Sequence, residues 1–130
     1  MQELRQKYTD HDVAFVTMYV REPHPHERGF PDVTQPATYD EKLQHAMQLI
    51  EVKDVHMPVV IDNIDQANHE MLGNLPNMSY VVDKDGIVQH AAEWLRAEDV
   101  DETLARLVTA DDPSNPVVPT VDSDKLDSRI

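Results

Sequence analysis

A single small α/β domain is the fold class this chain predicts, on three observations. Two apolar runs of strand length, residues 13–20 and 57–61, flank a segment of helical spacing; a hairpin pattern follows; an amphipathic helix closes the order. Strands alternating with helices belong to a parallel sheet, and 130 residues of which 40% are apolar supply one core rather than two.

Residues 1 to 8 read as the end of a helix, since Leu4 and Tyr8 stand one turn apart and Glu3 can pair with Lys7. Val13-Ala-Phe-Val-Thr-Met-Tyr-Val20 is β-branched and aromatic with almost no polar alternation, which predicts an interior strand buried on both faces. Residues 21–37 carry Pro23, Pro25, Pro31 and Pro36 with His24, His26 and Gly29 and no periodicity. A loop over the carboxyl edge of the sheet is expected there, where α/β proteins place their chemistry.

Thr38-Tyr-Asp-Glu41 fits a capping box, and Leu43, Ala46, Met47 and Ile50 follow as one apolar helix face. Met57-Pro-Val-Val-Ile61 is a second buried strand, parallel to the first because a helix intervenes. Asn63 and Gln66 can cap a short helix bearing Ile64, Ala67, Met71 and Leu72 and ended by Gly73. Ser79-Tyr-Val-Val82, Asp83-Lys-Asp-Gly86 and Ile87-Val88 predict an antiparallel hairpin in which Gly86 takes a positive φ. Val100, Leu104, Leu107 and Val108 mark the last helix, with Glu98, Asp99, Asp101 and Glu102 near its positive end. The domain is expected to span residues 1–109, and residues 110–130, rich in proline and aspartate, to form a disordered acidic tail.

Composition narrows the function classes. Against 25 Asp and Glu stand 11 Lys and Arg, a net charge of −14 that opposes nucleic acid and anionic membrane as partners. The longest apolar stretch, residues 13–20, falls short of the roughly 20 residues a membrane-spanning helix needs, and the polar start shows no secretory apolar region, so a cytoplasmic product is expected. Three glycines leave no room for a phosphate loop or a dinucleotide fingerprint, so no cofactor is implied. Cysteine is absent, which removes disulfides, thiolate metal sites and a cysteine nucleophile.

Three stretches together resemble the iodothyronine deiodinase-like, redoxin branch of the thioredoxin-fold superfamily: Val16-Thr-Met-Tyr-Val-Arg-Glu-Pro-His-Pro25, Met57-Pro-Val-Val-Ile-Asp62 and Leu75-Pro-Asn-Met-Ser-Tyr-Val-Val-Asp-Lys-Asp-Gly86. The first is the most specific, because that family ends a strand in Tyr-Ile/Val-x-Glu-Ala-His-Pro, and Glu22 and His24 hold its acidic and histidine positions. The resemblance implies a thioredoxin-like fold, N-terminally truncated, whose central first strand and Cys or selenocysteine nucleophile would lie upstream of residue 1. It implies thiol- or selenol-dependent reductive chemistry on a small-molecule substrate with a thiol reductant, Glu22 and His24 being auxiliary catalytic residues. The family's aromatic segment after this motif is absent, and its second histidine falls where this chain reads Gln35-Pro-Ala-Thr38, so thyroid hormone is not implied as substrate. The open alternative is a redox-inactive thioredoxin-fold binding or scaffold domain, with a homodimer formed by strand exchange as one way to replace the central strand.

Beside the resemblance, the residues have plainer readings. Glu22 and His24 alternate with Pro23 and Pro25 in an extended segment, where a carboxylate tunes an imidazole near neutral pH. His24 and His26, with Glu22, form a weak metal alternative. His11, His45, His56, His69 and His90 read as structural or solvent-facing. Asp62 and Asn63 read as helix caps, and Trp94 as a packing anchor against the last helix.

Overall fold

The computed structural model describes residues 1–22, 25 and 32–112. It is a small mixed α/β domain with two separate two-stranded sheets. In chain order the elements are α1 (Gln2–Lys7), β1 (Thr17–Tyr19), α2 (Tyr39–Val52), β2 (Val59–Ile61), α3 (Ala67–Leu72), β3 (Ser79–Val82), β4 (Val88–Ala92) and α4 (Ala97–Ala110). Most of the proline-rich loop and residues 113–130, where a disordered tail is expected, lie outside the described residues. Among the described residues no helix is long and apolar enough to cross a membrane.

β1 and β2 are parallel, with Thr17, Met18 and Tyr19 opposite Val59, Val60 and Ile61, as the intervening helix requires. β3 and β4 form the expected antiparallel hairpin. Its turn closes on Asp83, whose carboxylate accepts from the backbone N–H groups of Asp85 and Ile87, and Gly86 takes φ +83°.

The core joins three elements. Leu4 and Tyr8 from the α1 region, Val81 from β3, and Val100 and Leu104 from α4 form one buried cluster, against which Val13, Phe15, Leu95, Leu107 and Val108 pack. The pairs Leu4/Tyr8 and Val100/Leu104 each lie one helical turn apart, which is why the spacing alone identified them. α1 is also tied from outside. Lys7 Nζ lies 2.7 Å from Asp101, so it pairs across to α4 and not with Glu3 as expected. Tyr8 Oη donates to the same carboxylate at 2.6 Å. Burial, then this bond, pushes the phenol up to about 12, and the lysine and tyrosine bonds hold Asp101 below its ordinary value. On its other flank, the Gln2 side-chain amide donates to Asp54 O at 2.9 Å and accepts from His56 N–H at 2.8 Å, as a neighbouring strand would.

Four expectations are corrected. The run at 13–20 is not buried on both faces: exposure alternates along it, with Val16 57% and Met18 37% exposed while Tyr19 is buried. Its facing partner Val60 is 44% exposed, because only one face of the β1/β2 pair is covered. On α2, Ala46 is buried but Leu43 and Met47 are exposed, and the other buried position is Lys42. α3 begins at Ala67, after Gln66 in the left-handed conformation, with no side-chain cap from Asn63 or Gln66. Trp94 is 65% exposed, and the place against α4 is taken by the next residue, Leu95.

The core predicts its own sensitivity. Leu104→Ala removes a side chain from the centre of the cluster and is expected to cost about 2–5 kcal/mol. Val88→Ala, on an exposed strand position, is expected to stay within about 0.5 kcal/mol. Urea denaturation of the two variants beside the parent chain checks the difference.

Candidate functional site

The carboxyl ends of β1 and β2 lie side by side, Asp62 N–H donating to Tyr19 O at 3.0 Å. Each strand end carries a carboxylate, and α2 brings a basic side chain to each. Lys42 and His45 stand at i and i+3 and so share a helix face. The result is two polar groupings at one edge of the sheet.

The first surrounds Glu22. The buried Tyr19 hydroxyl donates a short hydrogen bond to Glu22 Oε1, and His45 Nδ1 lies 3.3 Å from the same oxygen. That imidazole nitrogen is buried and has no hydrogen-bond partner among the described residues. The Gln35 side chain fixes the backbone of Glu22 from the other side: its amide donates to Glu22 O at 2.9 Å, and its carbonyl accepts from Glu22 N–H at 3.0 Å. Burial, and then the bond to Glu22, pushes the Tyr19 phenol well above its ordinary range, so it remains a donor. This arrangement sets a phenol donor and an imidazole beside one carboxylate oxygen. α2 is placed to deliver His45 because Thr38 Oγ1 caps it by accepting from Glu41 N–H at 3.2 Å, while Glu41 reaches back to Ala37 N–H at 2.7 Å.

The second surrounds Asp62, which is 1% exposed. Oδ1 accepts from Asn63 N–H at 2.9 Å, Asn68 N–H at 3.3 Å and Asn68 Nδ2 at 2.8 Å; Oδ2 accepts from His69 N–H at 2.9 Å. Asp62 therefore acts as the helix cap expected of it, reaching the first-turn amides of α3 from the strand end, while Asn63 and Gln66 do not cap. Burial alone raises this carboxyl, but the bonds from His69, Asn68 and Asn63 outweigh it and hold the group below its ordinary value. Lys42, equally buried, donates to Asn63 O at 3.1 Å. Burial lowers its ammonium, opposed by the charges of Asp62 and Asp65. His69 is enclosed beside them, with Nε2 3.0 Å from Leu75 O and Nδ1 unpartnered among the described residues.

Of the residues expected to form a site, Glu22 is at its centre, while His24 and His26 lie outside the described residues. His45, read from the sequence as structural or solvent-facing, is the histidine beside Glu22. Its i+3 relation to Lys42 on a capped helix was the available signal, and a basic pair on a helix says nothing about which strand end it meets. Among the described residues no group of three or more metal-ligating side chains stands together. His11, His56 and His90 lie apart from the site; His56 contacts Asp54 at 3.0 Å, and His90 shares a 3.1 Å bond with Ser79.

No protein-family model, curated protein or solved structure matches this chain. The thiol- or selenol-dependent reductive chemistry expected from the resemblance is corrected. Cysteine is absent from all 130 residues, and among the described residues no group of three or more metal-ligating side chains takes its place.

The depressed Asp62 gives a pH dependence of defined sign. A carboxyl whose folded value lies below its ordinary 3.8 contributes stability that is complete above that value and is lost as pH falls through the folded one. Asp62→Asn is expected to cost about 2 kcal/mol at neutral pH. It is also expected to flatten the decline in stability as pH falls below about 4. Urea midpoints of parent and variant across that range check both effects.

Proposed function

We propose that this chain is a binding domain without thiol chemistry, which completes its β structure with an extended segment supplied by a partner. The observation that carries this reading is the one-sided pairing of β1. Thr17 N–H donates to Pro58 O at 2.9 Å, and Tyr19 O accepts from Asp62 N–H. The residue between them, Met18, therefore turns its own N–H and C=O to the side away from β2, where no other strand pairs among the described residues. An open edge of this kind is a template for another strand, and main-chain hydrogen bonds then supply the affinity.

Two further features support the reading. Val16 and Met18 leave apolar surface exposed beside the open edge, where an incoming segment can bury it. The lead-in to β1, through Val13 and Phe15, packs against the same core to which β3 contributes Val81, so the open edge belongs to a shared core. The element order, with a parallel β1/β2 pair, an antiparallel hairpin and a last helix, is compatible with a thioredoxin-like plan. On that plan the partner's segment runs between β1 and β3.

Hydrogen exchange tests the proposal, with a capped neutral peptide of alternating valine and threonine as probe. In the free protein the Met18 amide is expected to exchange faster than those of Thr17 and Tyr19; saturating peptide is expected to protect it. Met18→Pro removes the outward donor without touching the bonds to β2, and is expected to abolish binding of the labelled peptide, read by fluorescence anisotropy, while circular dichroism stays unchanged. An unprotected Met18 amide at saturating peptide overturns the reading.

A further inference from the structure

Which segment fits the open edge is constrained by charge. Leading into β1 are Asp10 and Asp12, both exposed and neither holding an ion pair among the described residues. Beyond β3 lie Asp83 and the exposed Asp85. Asp83 is held below the ordinary carboxylate range by hydrogen bonds from the turn and so stays ionised. Lys84, between them, is committed to Asp111. Arg21 adjoins the other end of β1, but the chain as a whole carries −14.

A second copy is a poor occupant on these grounds. It brings another −14, with its own Asp10 and Asp12 ahead of β1, and β1 offers only three residues in regular pairing. A segment of opposite charge gains where a copy loses. We infer that the open β1 edge takes an extended apolar segment flanked by lysine or arginine, carried by a chain other than a copy of this one. The inference rests on the strand-accepting reading above. The apolar centre of the segment covers Val16 and Met18, its main chain pairs with Met18, and its basic flank meets Asp10 and Asp12.

Three capped peptides with the same alternating valine and threonine centre separate this inference from the reading beneath it: one closed by paired lysines, one by paired glutamates, one neutral. Fluorescence anisotropy at low salt is expected to rank lysine over neutral over glutamate, with lysine and glutamate at least about tenfold apart. Added salt is expected to narrow the gap. The double variant Asp10→Asn, Asp12→Asn, changed only at exposed positions, is expected to remove most of it. Equal affinities of the three peptides overturn the basic-partner inference and leave strand acceptance standing. No binding by any of them removes strand acceptance and the inference together. A stable dimer in analytical ultracentrifugation with a protected Met18 amide overturns the inference in favour of a second copy.

Discussion

Much of this structure follows from the width of its sheets. Paired strands lie about 5 Å apart, and a helix with its side chains is about 10–12 Å across. A two-stranded ribbon therefore shelters only a narrow strip of any helix laid on it. α2 shows the consequence: Ala46 and Lys42 are covered, while Leu43 and Met47, on the same apolar arc by spacing, stand in solvent. The β1/β2 pair shows it from the other side, with Val16, Met18 and Val60 exposed on the face that no helix covers. Narrow sheets also have only edges, and the outward amide of Met18 is one result.

With so little sheet to build on, side chains take over work that strands do elsewhere. Gln2 bonds to the backbone at Asp54 and His56 in the two-point manner of a paired strand, and Gln35 does the same for Glu22. Asp101 ties α1 to α4 through Lys7 and Tyr8, and Asp62 replaces a local cap for α3. The Asp62 and Tyr8 links satisfy groups that folding takes from water, while the exposed links of Gln2, Gln35 and Lys7 join neighbouring segments at the surface. The candidate site grows out of these same links, since the carboxylates that close strand ends are the ones that meet His45 and Lys42.

The legible part of the fold was the part governed by local chemistry. The capping box at Thr38 and Glu41, the positive φ at Gly86, and the core pairs Leu4/Tyr8 and Val100/Leu104 depend on residues a few positions apart, and the structure holds them as expected. The parallel relation of β1 and β2 followed from the helix between them. Glu22 stood out because it holds the acidic position of a strand-end motif that resembles a known family's. His45 did not, because the helix that carries it is as compatible with a solvent-facing histidine as with one facing a strand end. Trp94 illustrates the same limit, lying where a packing anchor belongs by pattern, whereas Asp62 caps α3 as its place after a strand suggested. Only the path of the chain decided that Asp62 reaches α3 from a distance and that Leu95, not Trp94, meets α4.

By itself, the sequence determined the α/β class, the order of the elements, the acidic character and the absence of cysteine from these 130 residues. Composition and short-range spacing are properties of the chain before it folds. Tertiary structure decided which face of each strand and helix is covered, which carboxylates find which basic groups, and that the outer side of β1 is left open. Those outcomes depend on how many neighbours an element acquires. An apolar run such as residues 13–20 carries the same pattern whether two faces are covered or one.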